Sequence, residues 1–453
     1  MFTLSTRRPP APRPPARRPS ARRIYRAAAC GTLAAVTAIA VGLVGASTAA
    51  AAPAGHTPTA GDATAAASWL TGQVRTDHIM SSFDPTQVDY GSTADTVLSL
   101  AAAKLGATTS AALTSYLAAN VAAYAQPTTD PQPGAYAKLA LVAETTGADP
   151  TAFGGVDLID ALGRLQCPAL NTVAAGTCAA WEDGEFKNAV APNFAYPAPF
   201  TQALGILAAK RAGGAGDPIA TAATAFLEAQ QCPDGGWAFE FGDAASQCAT
   251  DGSDGDSTAM AVQALALVDP GAASVSKGVA WLQGQQQPDG SYVAFGAASV
   301  NTTAEAAQAL ALAGADATAP LGWLADQQAI CSAPASARGS FAYAGSPNVL
   351  ATNQAVMALT SANWLTLSAS GSAADVPPLT CPAATTTPPA PTTPVSTAVA
   401  VAPTTTVASG PDATATLPAT GVDGPRDLAL AGIGLLALIA GGAMITIGRR
   451  SAA

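Results

Sequence analysis

The body of the chain, residues 65–365, alternates two kinds of apolar segment at helical spacing. One kind places Trp or Phe before Leu and ends in Gln, which gives an apolar face and a polar face. The other kind consists almost entirely of Ala, Leu, Val and Thr, as in a helix buried on every side. The first kind occurs at residues 69–73, 226–231, 281–286 and 323–328. The second kind occurs at residues 259–268, 304–313 and 355–360.

A turn of Gly and an aromatic residue joins the two segments of a pair. Less regular copies of the pair occur at residues 116–145 and 158–209, which makes six helix–turn–helix units of roughly 40–55 residues. Because an open array needs polar end repeats and a ring does not, we predict an all-α (α/α)6 toroid over residues 65–365. The turns are Gly235-Gly236-Trp237, Gly290-Ser291-Tyr292 and Gly339-Ser340-Phe341.

The first 52 residues have the composition of an export signal. An Arg- and Pro-rich stretch precedes the uncharged residues 27–49, and the small residues that follow offer several cleavage sites. We predict a signal peptide at residues 1–52, cleaved around residues 49–52, and a short linker at residues 53–64. A retained signal anchor is the alternative.

Residues 366–416 are dominated by Thr, Pro, Ala, Val and Ser and show no apolar periodicity. Prolines favour extended, solvated backbone. We therefore predict that this segment is a disordered linker that spans the cell wall.

Residues 417–453 contain a pentapeptide, an uncharged segment at residues 428–448 and a final Arg pair. This order resembles the cell-wall sorting signal of Gram-positive surface proteins, whose pentapeptide is LPxTG. The resemblance implies that a sortase cleaves after Thr420 and attaches the protein to peptidoglycan. Residues 428–448 would form a transmembrane helix that holds the protein in the membrane before that step, and a permanent one-span anchor is the alternative. The pentapeptide is Leu417, Pro418, Ala419, Thr420 and Gly421.

The charge balance excludes one class of partner. Residues 53–420 carry nine basic and 28 acidic residues, and a body this acidic should be repelled by nucleic acid. His56 and His78 are the two histidines of the chain, so a site that needs several imidazoles cannot be assembled in the rest of the body.

The repeated segments resemble those of a known superfamily. Residues 277–285, Lys-Gly-Val-Ala-Trp-Leu-Gln-Gly-Gln, continue to Tyr292 and resemble the QW motif of squalene and oxidosqualene cyclases. Residues 227–237 form a second copy that lacks the leading basic residue. The body is thus similar to the terpenoid-cyclase and prenyltransferase-like toroids, a group that includes the cobalamin carriers of the intrinsic-factor type. The resemblance implies the fold, whereas function depends on the site.

Residues 254–261, Asp-Gly-Asp-Ser-Thr-Ala-Met-Ala, resemble the class II cyclase signature Asp-x-Asp-Asp followed by Thr-Ala. The resemblance implies that Asp256, beside Asp254, is the general acid that protonates an alkene or epoxide. Ser257 replaces the last Asp of the signature, and aromatic residues, which stabilise carbocations, make up only 6% of the chain.

Two other interpretations of these acids are open. Asp256 or Ser257 is the N-cap of a helix that begins near Thr258, which is favoured because the equivalent turns at residues 92–95 and 302–305 have capping sequences. The second interpretation is that Asp251, Asp254 and Asp256 bind calcium. A prenyltransferase zinc site would require Asp, Cys and His, and no His follows His78. We expect no cofactor and no metal.

The cysteines indicate disulfides. Loss of Cys30 with the signal peptide leaves six, an even number in an exported chain. Pairing between neighbours is our prediction among the fifteen possible connectivities. The predicted pairs are Cys167–Cys178, Cys232–Cys248 and Cys331–Cys381.

Three functional hypotheses follow. The first is a secreted, wall-anchored protein whose toroid is a binding or interaction module for a small hydrophobic or amphipathic molecule or a surface glycan. The second is a degenerate class II terpene cyclase that uses Asp256 as its acid. The third is a corrinoid binder, by analogy to the cobalamin carriers. Export disfavours the cyclase, because isoprenoid substrates are kept at the cytoplasmic membrane.

Overall fold

The computed structural model describes residues 57–381, except 83, 128–129, 175, 189–197 and 215. The predicted signal peptide and the sorting signal with its pentapeptide lie outside the described residues. Of the helices that are described, none is both long and apolar enough to cross a bilayer. The predicted transmembrane helix at residues 428–448 is not among the residues that this search covers.

The described chain is mostly α-helical. The helices are α1 (Ala60–Gln73), α2 (Tyr90–Ala103), α3 (Ala107–Ala119), α4 (Val121–Ala125), α5 (Pro133–Thr146), α6 (Leu158–Arg164), α7 (Ala198–Ala212), α8 (Gly216–Ala229), α9 (Ala244–Asp251), α10 (Gly255–Val268), α11 (Ala273–Gln285), α12 (Val300–Leu312), α13 (Thr318–Asp326) and α14 (Val349–Leu359).

The helices form two concentric rings. In the inner ring α2, α5, α7, α10, α12 and α14 pack in that order, and α14 packs on α2 to close the circle. Each outer helix, α1, α3, α6, α8, α11 or α13, bridges two neighbouring inner helices. The predicted all-α toroid of twelve helices in two layers is therefore confirmed. The short helices α4 and α9 belong to the connections.

Composition explains which helices lie inside. In α10 every residue from Ser257 to Ala266 is buried, and five of the first six residues of that stretch are no larger than Val. Small side chains let neighbouring helices approach closely, as a ring requires. Outer helices bury one face only; α11, for example, buries Val275, Gly278 and Leu282.

A threonine in the first turn of four inner helices holds the preceding turn in place. Each Oγ1 accepts a hydrogen bond from the backbone N–H of the aromatic residue of the turn or, before α2, from that of Ile79 in the hairpin. These donors are buried, so the bond satisfies a group that water cannot reach. The pairs are Thr93 with Ile79, Thr258 with Trp237, Thr303 with Tyr292 and Thr352 with Phe341, at 2.9–3.0 Å.

The repeated Gln and Trp residues link one repeat to the next. The side-chain amide of Gln231 donates to the carbonyl of Gly235 in its own turn and to that of Ser274 in the following repeat, both at 2.8 Å. Trp281 Nε1 donates to Asp234 Oδ2 of the preceding turn at 3.1 Å. At the closure of the ring, Gln328 Nε2 donates to the carbonyl of Asp62, 2.8 Å away. These motif residues therefore have a structural role.

Three short antiparallel hairpins precede inner helices that are neighbours in the ring, namely α2, α12 and α14. Each turn contains a non-glycine residue with positive φ: Thr76, Phe295 or Ala344. The strands are β1 (Val74–Arg75), β2 (His78–Ile79), β3 (Val293–Ala294), β4 (Ala297–Ala298), β5 (Ala342–Tyr343) and β6 (Ser346–Pro347).

The body extends beyond the predicted limits on both sides. Helix α1 begins at Ala60, where Thr59 and Asp62 form a capping box, so the linker prediction is wrong for residues 60–64. Residues 366–381 pack on the toroid: Leu367 is buried, and the N–H of Ala369 donates to the carbonyl of Thr145 at 2.8 Å. The prediction of an extended linker is wrong there, because apolar residues and backbone hydrogen bonds fix this stretch.

The same C-terminal stretch crosses the end of the barrel at which the inner helices terminate. Arg211, in the last turn of α7, donates to the backbone carbonyls of Trp364, at 2.8 Å, and Leu367. Lys104 Nζ, at the end of α2, donates to the carbonyl of Ser368 at 2.6 Å. We call residues 361–373 the plug, since they cover this end of the barrel.

All three predicted disulfides are present. Two of them close the long insertions before α7 and α10, and the third attaches the segment beyond the plug to the loop after α13. The bonds are Cys167–Cys178, Cys232–Cys248 and Cys331–Cys381.

Candidate functional site

Asp254 and Asp256, the two acids of residues 254–261, have different roles. Helix α10 begins at Gly255, and its N-cap is Asp254, whose Oδ1 accepts from the backbone N–H of Ser257 at 2.8 Å. The prediction that Asp256 or Ser257 caps a helix starting near Thr258 is therefore wrong. The cap lies earlier because Asp254 keeps extended backbone angles and its carboxylate reaches N3. Asp256 lies in the first turn of the helix and does not cap it.

Asp256 is a partly buried acid whose environment favours the neutral form. Its pKa is raised to about 8, first by removal from water and then by the nearby carboxylate of Asp254, while a hydrogen bond from Thr302 acts in the opposite direction. One oxygen, Oδ1, is buried and has no hydrogen-bond partner among the described residues. An unpaired buried oxygen costs free energy, so Asp256 is poorly explained as a stabilising residue.

The repeat places Asn301 where Asp256 stands. Each residue lies two positions after its N-cap, Asp254 in α10 and Ser299 in α12. Since α10 and α12 are neighbours in the inner ring, the two side chains come from equivalent points of adjacent helices. Asn301 is 6% exposed, and its Oδ1 also lacks a partner among the described residues. The rim of the barrel thus carries two buried acceptor oxygens without donors.

A groove of about 450 Å³ lies at this rim, between the hairpins β3–β4 and β5–β6. Asp256 and Asn301 belong to its lining, and aromatic side chains from both hairpins and from α13 supply apolar surface. Phe295, at the tip of hairpin β3–β4, is 73% exposed. None of the described lining residues is basic. The lining comprises Asp256, Ala294, Phe295, Ala297, Ala298, Ser299, Val300, Asn301, Thr302, Trp323, Gln327, Ala342, Tyr343, Ala344 and Gly345.

The interior of the barrel is nearly filled. Among the described residues, the cavity between the inner helices measures about 50 Å³, enough for a few water molecules. Asp95 and Lys138 form an ion pair in its wall, with Nζ and Oδ1 2.8 Å apart. Trp364 of the plug reaches the same cavity and donates to Gln263 Oε1 at 2.8 Å. This cavity, as the described residues line it, has no room for a terpenoid chain.

Glu305 is the centre of a buried amide network in this wall. Its Oε2 accepts from Gln263 Nε2 at 2.6 Å, and its Oε1 accepts from Gln354 Nε2 at 2.8 Å. Gln354 in turn accepts from Asn301 Nδ2. The pKa of Glu305 is raised to about 7, chiefly by burial, while the two amide hydrogen bonds lower it.

No metal centre emerges from the acids of the signature. Among the described residues, one group of three potential ligands lies close together, Cys167, Cys178 and Glu182, and its two cysteines are joined as a disulfide. Asp254 already uses Oδ1 for capping. The side chain of Asp251, which the calcium hypothesis requires, lies outside the described part of the chain.

Comparison with known proteins identifies neither a family nor an activity for this chain. No family model matches the sequence, and no curated protein matches it. Among solved structures the chain is similar to a type II terpene cyclase from Scytonema, in complex with geranylgeranyl dihydroxybenzoate as substrate. The identity is 16%, the match covers 52% of this chain and 80% of the cyclase, and the TM-score is 0.28. So low a TM-score supports no conclusion about activity.

The sequence signature led to Asp254 and Asp256 but not to their polar neighbours. Asn301, Glu305 and Gln354 were not predicted as site residues. The register of Asp256, two residues after its N-cap, leads to Asn301 in α12, whereas Glu305 and Gln354 lie six residues after the caps Ser299 and Asn348. The predicted sorting residues 417–421 lie outside the described residues.

Proposed function

We propose that this protein is an exported, wall-anchored surface protein whose toroid binds a small amphipathic molecule in the rim groove. The observation that carries the proposal is the groove itself, which combines apolar aromatic walls with unpaired acceptors at Asp256 and Asn301. Few convergent polar groups in an otherwise apolar concavity are typical of small-molecule sites. The three disulfides are compatible with an extracellular location.

The experiment is native mass spectrometry of small molecules retained by the purified full-length chain. Ala298→Trp would fill the groove, because Ala298 is exposed and lies in its wall. Ala111→Trp, at an exposed position of α3, is the matched control. We expect a retained molecule in the parent and in the control but not in Ala298→Trp. Equal retention by all three would refute binding in the groove. A glycan or a corrinoid would be identified by its mass in the same measurement.

One observation favours a second function, acid catalysis by Asp256. A carboxyl with a pKa of about 8 still carries its proton at neutral pH, as a general acid must. The small volume of the cavity between the inner helices argues against catalysis, since a cyclase has to enclose a folded chain and shield its carbocations. The test is incubation with squalene and with a linear diphosphate. Product formation that disappears in Asp256→Asn would establish the cyclase, and absence of turnover in the parent leaves the binding function.

A further inference from the structure

The lining of the rim groove contains two buried side-chain oxygens that have no hydrogen-bond partner among the described residues. Asp256 Oδ1 and Asn301 Oδ1 are buried and unpaired among the described residues. Thr302 interacts with Asp256 and lies 3.1 Å from Ser299 Oγ, and Gln327 Nε2 donates to the carbonyl of Trp323 at 3.4 Å, but no described side chain donates to either of these two oxygens. A molecule that pairs with both oxygens as acceptors must therefore bring donors of its own.

The amide network determines which atom of Asn301 is left over. Glu305 accepts from the Nε2 of Gln354, so Gln354 turns its Oε1 away from the carboxylate. That oxygen accepts the Nδ2 of Asn301. Asn301 thus directs its amide nitrogen towards Gln354 and leaves its carbonyl oxygen unpaired, because a primary amide presents donors on one side and an acceptor on the other. The free oxygen is thus fixed by contacts deep in the barrel wall.

The charge and the aromatic surface of the groove further restrict the class of ligand that fits it. None of the described lining residues is basic, and Asp256 is the acid among them. Phe295, Trp323 and Tyr343 supply aromatic surface in the same groove, which suits an apolar body and also attracts a cation. A positively charged donor attached to an apolar chain satisfies all of these features together.

We propose that the rim groove takes amphipathic primary amines, whose ammonium group donates to Asp256 Oδ1 and, directly or through a water molecule, to Asn301 Oδ1. This inference rests on the proposed function, since it names the ligand class of the same groove. An ammonium group has three donors, whereas an alcohol has one and a quaternary ammonium has none. The burial of Asp256, which raises its pKa, would be offset by the bound positive charge.

The test is isothermal titration calorimetry on the full-length chain at pH 7 with three probes: hexylammonium, hexyltrimethylammonium and hexanol. We expect hexylammonium to bind about tenfold more tightly than the other two, because only it forms charge-assisted hydrogen bonds. Asp256→Asn should remove this advantage, so that hexylammonium then binds no more tightly than hexanol. Asp269→Asn is the control, because it removes the same charge at the exposed far end of α10.

The outcomes separate this inference from the proposed function. Hexanol bound as tightly as hexylammonium would overturn the amine while leaving the groove as a binding site. Equal affinity for hexyltrimethylammonium would overturn the donor argument. Ca²⁺ binding that depends on Asp256, with no amine binding, would assign the acceptors to a metal. Binding of none of the probes, with Ala298→Trp indistinguishable from the parent, would overturn both. Melting curves of each variant show whether it is folded.

Discussion

Asp254 Oδ1 accepts a hydrogen bond from the backbone N–H of Ser257 at 2.8 Å, and this contact starts helix α10. Thr258 also has a structural role, since its Oγ1 accepts a hydrogen bond from the N–H of Trp237 at 2.9 Å. Of the residues that resemble the cyclase signature, these two have structural functions that other repeats share. Asp256 has none, and it is the residue that lines the groove.

The first prediction separates the two acids by stability. Asp254→Ala should lower the free energy of unfolding by about 1 kcal/mol, because the N–H of Ser257 loses its acceptor. Asp254→Ser, which keeps a capping oxygen, should cost less. Asp256→Asn should cost nothing or stabilise, since it removes a buried group that resists ionisation. Urea unfolding measures all three, and a loss in Asp256→Asn as large as in Asp254→Ala would contradict this assignment.

The second prediction concerns the threonine of the repeat. Thr258→Val preserves shape but leaves the buried N–H of Trp237 without a partner, so we expect a loss of about 1–3 kcal/mol in unfolding free energy. Thr221→Val is the control, because Thr221 is exposed and its hydroxyl bonds only within its own helix. If the two variants lose the same stability by urea unfolding, the role assigned to Thr258 is wrong.

The periodic residues made the toroid predictable, whereas the site depended on contacts that no local pattern contains. The Ala-rich and Trp-Leu segments determine which helices lie inside, so the two layers could be inferred. The cap of α10 could not be located from the sequence because Asp254, Asp256 and Ser257 are all good capping residues, and only the extended backbone of Asp254 distinguishes it. Asp256 and Asn301 become neighbours only when the ring packs α10 on α12.

The plug shows the same limit. Trp364, Leu365 and Leu367 form a short apolar stretch before a Thr- and Pro-rich segment, and nothing local shows what they pack against. Their partners, such as Arg211 and Gln263, lie more than 90 positions away. Only the three-dimensional structure brings these groups together.

The third prediction concerns pH. The folded-state pKa of Glu305 is raised from 4.5 to about 7, chiefly by burial, so its contribution is fully present below pH 4.5 and is lost as pH rises through 7. Burial is also the main cause of the raised pKa values of Asp256, Glu144 and Glu185. Stability should therefore fall between pH 5 and pH 8, and Glu305→Gln should reduce that fall by on the order of 3 kcal/mol at most.

Urea unfolding at pH 5 and pH 8 tests this prediction. Asp160→Asn is a suitable control, because Asp160 is exposed and pairs with Arg164 at the surface. A parent protein that is more stable at pH 8 than at pH 5, or a Glu305→Gln variant with an unchanged pH dependence, would contradict the proposed cost of ionising the barrel wall.

The fourth prediction concerns the disulfide that retains the C-terminal stretch. Cys331 and Cys381 are 50 positions apart, and a bond that closes a loop of this length stabilises by about 4 kcal/mol in the chain-entropy description. Replacing both by Ser should lower the urea midpoint more than replacing Cys167 and Cys178, which are 11 positions apart. Peptide mapping without reduction should recover all three predicted pairs, and a Cys178–Cys232 peptide would disprove the connectivity.

The last prediction concerns the sorting signal, residues 417–453. If a sortase joins Thr420 to peptidoglycan, the protein should stay in the wall fraction after boiling in detergent and be released only by muralytic digestion. Replacing Leu417 and Pro418 by Ala should move it to the membrane or the medium, because the enzyme recognises the pentapeptide and segment 428–448 alone would then retain the chain. Val422→Ala, just outside the pentapeptide, should leave wall attachment unchanged. Detergent-resistant wall retention of the Leu417 and Pro418 variant would show that attachment does not use this signal, and loss of retention in Val422→Ala would show that the effect is not specific to the pentapeptide.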